Sequence, residues 1–559
     1  VNYSKHFTFE FEVFHLSSTK TKKLLKKDVD LEFNAEEFDL VILIGSEASK
    51  FIGGITSVTE FAGHLVEDKF VPMINPAMLS FKPEAKPHFD KAIEKVEGYV
   101  AGVKPPTVTG DFEGITEEER ANEYLEEILA DNSIRHIACD TETSSLYPRD
   151  GYVLGISITH KSKQGVYIST ECVSEKTEKL LQAIFSSRLV VFHNAKFDLK
   201  MLQYHFNFKF PKVSDTMLMH YLLDETQGTH GLKALAMKFT DYGDYDRALD
   251  EFRTNYCKQN GILKGEFSYD LIPFDILAEY AAIDTAVTYD LYTLFSKKLL
   301  SNKALTKVYK ELMVPGMLFL TDVEENGVPF DIGRLKKVQA LMEVEVQTAK
   351  DELYKHDAVH TFEKEQGKVF NPNSTQQLRV LLFDYLGLTP TGKLTGTGAA
   401  STDAEVLKKL AEEHPIPGVL LNIRQKSKIK NTYLDKIIPA LDKDSRIRTG
   451  FNLTSTTSGR LSSSGKINMQ QLPRDNAAVK GCIKATPGYK IIQQDLATAE
   501  VYVAAILSGD KNLQNVFKSG GDLHSTIAKM VFQLKEPASE VKEKNPTARQ
   551  AAKAITFGI

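Results

Sequence analysis

The chain has 559 residues, a formal net charge of -5, 42% hydrophobic and 26% charged residues, enough length for three or four domains with ample core. A balance so close to neutral excludes a globally basic nucleic-acid binder and leaves any basic surface local. Cys139, Cys172, Cys257 and Cys482 are far apart with no Cys-x-x-Cys pair, and no run of 18 apolar residues or signal peptide occurs, which excludes a disulfide framework, a zinc ribbon and a membrane span and predicts a cytoplasmic protein.

In chain order, Phe38-Asp39-Leu40-Val41-Ile42-Leu43-Ile44-Gly45-Ser46-Glu47-Ala48 reads as a buried parallel strand running into a glycine turn and a helix. Gly53-Gly54, Ala62-Gly63-His64 and Phe70-Val71-Pro72-Met73-Ile74-Asn75-Pro76-Ala77 follow, with a helix predicted near residues 85–96. This order resembles the later half of the uracil-DNA glycosylase superfamily over residues 38–97. In that family the last motif is a His-Pro-Ser turn at the flipped nucleotide. Here Asn75-Pro76-Ala77 stands in its place, and the Gly-rich catalytic motif expected upstream is missing, so residues 1–100 read as a non-catalytic accessory α/β domain. Lys104-Pro105-Pro106-Thr107 marks an extended linker over residues 101–116.

Ile137-Ala138-Cys139-Asp140-Thr141-Glu142-Thr143 is then predicted as a strand that projects Asp140 and Glu142 from one face. Val153 to His160 reads as another strand. Leu189-Val190-Val191-Phe192 followed by His193-Asn194-Ala195-Lys196-Phe197-Asp198 reads as strand, turn and first helical turn, and places Asp198 just beyond a strand end. Thr216 to Leu223 reads as a buried helix that Asp215 could cap. Ile276, Leu277, Tyr280, Ala281, Asp284, Val287 and Leu291 recur at helical spacing, so Tyr280 and Asp284 share a face. Four carboxylates converging on one site repel one another unless cations neutralise them, and two Mg²⁺ or Mn²⁺ ions are the usual solution. The set resembles the 3′-to-5′ proofreading exonuclease domain of DNA polymerases, with Asp140 and Glu142 in its first motif, Asn194 and Asp198 in its second, and Tyr280 and Asp284 in its third. The resemblance implies a ribonuclease H-like fold for residues 117–305, catalysis by these carboxylates and Tyr280, and DNA contact by Asn194. It also offers a second reading of Asp215 as a recurrent family position.

From Glu311 the pattern becomes helical, with long amphipathic helices predicted at about 332–357 and 416–440 and helix starts at Asn371-Pro372-Asn373-Ser374 and Ser401-Thr402-Asp403. Residues 424–480 hold 12 Lys or Arg against 4 Asp, a local excess of +8 that is either a duplex footprint or a solvated basic face. Gly459-Arg460-Leu461-Ser462-Ser463 and Asn468-Met469-Gln470-Gln471-Leu472-Pro473 lie inside that run. Lys490-Ile491-Ile492-Gln493-Gln494-Asp495 reads as a strand ending on a carboxylate, with a helix over Thr498 to Leu507. Arg549, Lys553 and Phe557 are four apart on one helix face.

These motifs resemble family A DNA polymerases of viral type, which implies thumb, partial palm and partial fingers over residues 306–559. Under that resemblance Arg460 and Gln470 meet the primer end and Asp495 is a polymerase metal ligand. Glu500 packs under the incoming sugar, His524, Arg549 and Lys553 meet the triphosphate, and Phe557 stacks near base and sugar. Leu496-Ala497-Thr498-Ala499 departs from the family's usual Tyr-Ser-Gln-Ile, and Tyr502 stands at a frequent Arg. A second metal-binding Asp of the family, beyond the fingers helix, is not among these residues, so a carboxy-terminal polymerase fragment is expected as a partner beside DNA primer-template and deoxynucleoside triphosphates, with no membrane partner. A split gene, an interrupted gene or an expressed fragment would each account for it. A stand-alone exonuclease with a DNA-clamping domain and a non-catalytic DNA-binding remnant are the alternatives.

Overall fold

Alternating and continuous apolar runs between residues 111 and 215 assemble into one mixed six-stranded sheet. Its strands in chain order are β3 (Asp111–Ile115), β4 (His136–Thr143), β5 (Val153–Thr159), β6 (Gln164–Ser169), β7 (Leu189–Phe192) and β8 (Val213–Asp215), after β1 (Val41–Ile44) and β2 (Phe70–Met73) of the front region. The spatial order is β3-β6-β5-β4-β7-β8, antiparallel at β6-β5 and β5-β4 and parallel at the other three junctions. The structure, a computed structural model, describes residues 12–13 and 34–559 apart from 56–57, 59–61, 64, 67–68, 81–85, 103–107, 244, 396–397, 473–475, 497 and 559. His64, Lys104-Pro105-Pro106-Thr107, Pro473, Ala497 and the side chain of Phe557 lie outside the described residues.

In the front region β1 and β2 pair in parallel, and Gly45 turns the chain into a helix at Gly45–Phe51 with φ +84. A second helix spans Lys86–Val100. The expected linker is shorter than the sequence reading gave: Asp111–Ile115 is the edge strand β3, in parallel register with β6. Gly114 falls within that expected linker, yet it serves packing, since a Cβ there would lie 2.7 Å from Ala278 Cβ.

The helix Phe274–Leu300 crosses the sheet and is buried almost all round between Ala281 and Thr288. Small residues let it come close. A Cβ at Gly165 of β6 would fall 2.1 Å from the Ala282 carbonyl oxygen, so a glycine is required where the helix segment between Tyr280 and Asp284 meets the sheet. The main core, built on Ile137, Cys139, Ile156, Phe185, Phe192, Leu199 and Val287, continues past residue 305 into Tyr309, Met313 and Met317. The expected boundary at 305/306 is therefore bridged. The Tyr309 hydroxyl lies 2.6 Å from Ser214 Oγ and accepts from Asp215 N at 2.8 Å, which stitches the π-helical turn Tyr309–Met313 to the end of β8.

Helices Ile332–Leu353, Asp357–Gln366, Ala404–Leu410 and Pro415–Lys428 enclose a second core of Leu353, Phe362, Leu378, Leu407, Leu420 and Ile423. Ser374 and Asp403 cap helices as expected, each side chain accepting from backbone amides of the first turn. The helix predicted over 416–440 is broken by a π-helical turn at Ile429–Leu434 and carries Pro439, whose ring removes a backbone donor just before the segment ends at Ala440.

The chain divides into two compact units at Lys484/Ala485, so residues 306–559 do not form one body. In the second unit the expected strand at Lys490–Asp495 is unpaired coil with Ile492 81% exposed, because a strand needs a neighbouring ladder and none pairs with it among the described residues. Helices at Ala499–Ser508, Lys511–Lys518, Leu523–Val531, Ala538–Lys544 and Pro546–Gly558 make up the rest. Among the described residues no helix is long and apolar enough to cross a membrane. The Gly165 contact gives a first prediction: Gly165→Val should push the Phe274–Leu300 helix off the sheet and cost about 1–3 kcal/mol, read as a lower urea midpoint. An unchanged midpoint would mean that the close approach is not needed.

Candidate metal centre

Asp140 and Glu142 leave β4 on one face, opposite Ser157 and Gly155 of β5, and the ladder shifts register immediately after Glu142. The helix Phe274–Leu300 supplies Asp284, and donor oxygens of Asp140, Glu142 and Asp284 all lie within 4.8 Å of one another. Burial and the neighbouring Asp198, Glu142 and Asp284 hold the Asp140 carboxyl well above the usual range, and burial with Asp284 does the same to Glu142.

Asp198 reaches the site by a different route. After β7 the chain turns through Asn194 in the left-handed region, φ 67, a conformation that asparagine tolerates, and enters the helix Ala195–Phe206 with Asp198 in its first turn. Its Oδ1 accepts from Thr141 N at 3.0 Å and Thr141 Oγ1 at 2.7 Å, so this oxygen is bound to the strand between the two β4 carboxylates. Burial pushes Asp198 up to about 7 against those hydrogen bonds. Asp215 secures the turn. Its carboxylate accepts from Met217 N and Leu218 N as the cap of Thr216–Leu223, and from Asn194 N and Ala195 N across the sheet end. The cap reading thus holds, and the same side chain also fixes the loop that carries Asn194.

Tyr280 lies one turn before Asp284, half-buried and stacked on Tyr245 at 6.2 Å between ring centroids. Burial, Asp284 and Glu142 raise its phenol well above the ordinary value. Two residues the sequence did not disclose stand here, Lys233 and Tyr245, both bonded to Asp284 Oδ1. Lys233 is the second residue of an ordinary amphipathic helix, Leu232–Phe239, and lies 51 residues from its partner, so no local spacing identifies it.

The polymerase-like motifs fall in both units. Arg460 is exposed in the loop between paired strands Gly450–Asn452 and Ser462–Ser464, its carbonyl accepting from Thr456 Oγ1 at 2.6 Å, and exposed Gln470 donates to the adjacent Leu461 carbonyl at 3.3 Å. Tyr221 and Gln227 donate to the carbonyls of Thr456 and Ser455, fastening that loop to the sheet domain. The basic run is less open than its charge suggests. Lys430, Arg446 and Arg448 form ion pairs with Asp435, Asp442 and Asp444 of the same run, and Lys426 and Lys466 with Glu345 and Asp150 from other segments, which the local count leaves out. In the second unit, Asp495 lies in exposed coil and Glu500 is exposed in the first turn of its helix. His524 is buried, with Lys553 and Arg549 close enough to lower its pKa beyond the effect of burial, so these three gather at one place. Arg549 is held there by Asp522, at 2.6 and 3.2 Å.

The sequence profile of DNA polymerase family A matches residues 335–559, and that of a 3′-5′ exonuclease matches residues 112–300. Over 585 aligned positions the chain is 47% identical to the DNA polymerase of Escherichia phage T5, covering 100% of this chain and 68% of that protein. The chain belongs to DNA polymerase family A. It is also 26% identical to the DNA polymerase of Bacillus phage SP01, over 93% of this chain and 64% of that one. To the DNA polymerase I of Borreliella burgdorferi it is 29% identical, and there it spans 47% of the relative's length. Among solved structures it resembles the POL domain of Pol1 from M. smegmatis in complex with DNA primer-template and dNTP, with a TM-score of 0.60, 25% identity, and coverage of 80% of this chain and 70% of that one. A separate carboxy-terminal fragment finds no support in these comparisons.

The family uses divalent metal, and the donor set of this polymerase fits it: hard carboxylate oxygens of Asp140, Glu142 and Asp284 lie within 4.8 Å of one another, and the Asp140 and Glu142 carboxyls are raised in pKa by burial and by neighbouring carboxylates whose repulsion an ion would relieve. A carboxyl whose folded pKa is raised takes up its proton on folding. Its contribution to stability is present at low pH and is lost as pH rises from the ordinary carboxylate value toward the folded one, about 7 for Asp198. Divalent ions favour the deprotonated state, so the Tm gain from Mg²⁺ or Mn²⁺ over EDTA should grow between about pH 5.5 and about pH 8. A gain independent of pH in thermal melts would contradict this account of the cluster.

Proposed function

We propose that this family A polymerase replicates DNA and proofreads its own product with the Asp140, Glu142, Asp198 and Asp284 centre. The observation that carries the reading is the convergence of three carboxylates from β4 and the Phe274–Leu300 helix, with Asp198 tied to Thr141 between two of them. Asp140, Glu142, Asp198 and Asp284 are the side chains that would hold Mg²⁺ or Mn²⁺, which would supply Lewis-acid charge for phosphodiester hydrolysis. Tyr280, kept as a neutral phenol, donates a hydrogen bond toward the reacting phosphate from one turn ahead of Asp284. Asn194, exposed at its left-handed corner, contacts the strand, and single strands are preferred because the 3′ end must leave its complement to reach a half-buried site.

On the polymerase side the substrates are DNA primer-template and deoxynucleoside triphosphates, as in the M. smegmatis complex that this fold resembles. Arg460 and Gln470 meet the primer end, Asp495 binds metal, and Glu500 excludes a ribose 2′-OH. His524, Arg549 and Lys553 receive the triphosphate, with Phe557 stacking near base and sugar. The protein works in the cytoplasm of the infected cell.

One paired experiment tests both sites. With Mg²⁺ or Mn²⁺, Asp140→Ala should lose shortening of a 3′-labelled oligonucleotide by about a hundredfold or more. Asp495→Ala should keep it and lose primer extension. Equal degradation by wild type and Asp140→Ala, or extension by Asp495→Ala, refutes the corresponding assignment.

The front region is proposed as an accessory domain. Asn75 lies past the end of β2 with its Oδ1 accepting from Ala77 N at 3.0 Å, a turn-forming contact rather than one aimed at a base. No free uracil should be released from single- or double-stranded DNA. Release detected by chromatography from the full chain would overturn this.

A further inference from the structure

Asp284 already has a cation beside it. Lys233 Nζ is bonded to Asp284 Oδ1, the Tyr245 hydroxyl donates to the same oxygen, and Lys233 Nζ donates to that hydroxyl oxygen at 2.8 Å. The ammonium also lies over two aromatic faces, 4.1 Å from the Tyr245 centroid and 3.9 Å from that of Tyr280. Its backbone position does not favour the charge. Lys233 is the second residue of the helix Leu232–Phe239, where the free amides already carry partial positive charge and a cation is disfavoured. The charge is accounted for by the site, since Lys233 also counters the mutual repulsion felt by Asp140 and Glu142. One side chain thus touches a member of the carboxylate cluster and the phenol that faces the reaction.

We propose that Lys233 is a resident cation of the exonuclease centre, a positioning residue that holds Asp284 and Tyr280 in register and competes with a divalent ion for Asp284 Oδ1. It therefore sets the metal concentration at which the centre loads. With Asp284 Oδ1 given over to an ion, the ammonium would still have the faces of Tyr245 and Tyr280 to rest on. The inference rests on reading Asp140, Glu142 and Asp284 as a metal centre.

The test compares wild type, Lys233→Met, Lys233→Arg and Asp140→Ala as full chains without DNA. Free Mn²⁺ is followed by its EPR signal, and thermal unfolding is measured in EDTA and in saturating Mn²⁺. Lys233→Met, which keeps the apolar stem and removes the competitor, should bind Mn²⁺ about tenfold more tightly. It should also melt below wild type in EDTA and recover in Mn²⁺, while Lys233→Arg stays close to wild type in both. The Mn²⁺ concentration for half-maximal hydrolysis should shift down with the binding constant. Affinity in Lys233→Met equal to or weaker than wild type overturns the proposal, and so does a melting deficit that Mn²⁺ leaves unchanged. If Asp140→Ala titrates like wild type, the metal-centre reading falls, and the competition with it. That outcome is distinct from failure of the lysine alone.

Discussion

Mutual repulsion among carboxylates gathered within 4.8 Å is the constraint that the rest of the sheet domain answers. Two unit charges at such a distance interact by about 3.5 kcal/mol at the effective dielectric near a protein surface, so a cluster of this kind disperses unless the scaffold holds it or cations neutralise it. The scaffold holds it at three points. Gly165 lets the Phe274–Leu300 helix reach the sheet, Thr141 binds Asp198 to the strand of Asp140 and Glu142, and Lys233 sits on Asp284. Each fixes one approach to the cluster, and the Asp140 and Glu142 carboxyls are still held above their ordinary range by burial first and by their carboxylate neighbours second.

A second buried charge joins the sheet domain to the helical region that follows it. Glu324 is 3% exposed, and its oxygens receive Lys196, Lys200 at 2.7 Å and the Phe451 amide at 2.7 Å. Lys196 and Lys200 come from the same helix as Asp198, while Phe451 belongs to the hairpin whose loop carries Arg460. Removing one partner from such a group leaves a buried charge uncompensated, which makes the junction a determinate contact rather than a loose one. Tyr309 adds to it from the π-helical turn, and Tyr221 and Gln227 hold the Arg460 loop by its carbonyls. The helix bearing the second exonuclease motif and the hairpin bearing the proposed primer-end residues therefore share one framework within the first compact unit.

Local chemistry made much of this legible beforehand. The two-residue repeat of a strand suffices to place Asp140 and Glu142 on one face, four-residue helical spacing does the same for Tyr280 and Asp284, and Asp215, Ser374 and Asp403 announce helix starts through side chains that reach amides two or three residues on. All of these depend on contacts within about one helical turn or one strand pair. The resemblance to family A polymerases rested on the same short motifs, and the comparisons support it over residues 112–300 and 335–559.

Tertiary structure decided what depends on partners far away in the chain. Gly114 looked like a linker residue because its reason for being glycine, Ala278, lies 164 positions on. The strand character of Lys490–Asp495 went unrealised because a strand is completed by a neighbour rather than by its own sequence. The basic run from 424 to 480 proved partly internal because folding adds Glu345 and Asp150 from other segments to its own aspartates, and Lys233 escaped notice because a lysine on a short helix has no signature until Asp284 is beside it. Residue type and spacing thus determined which groups could do chemistry, whereas long-range packing determined which of them meet, since only the folded chain brings opposite charges and close-packed surfaces together.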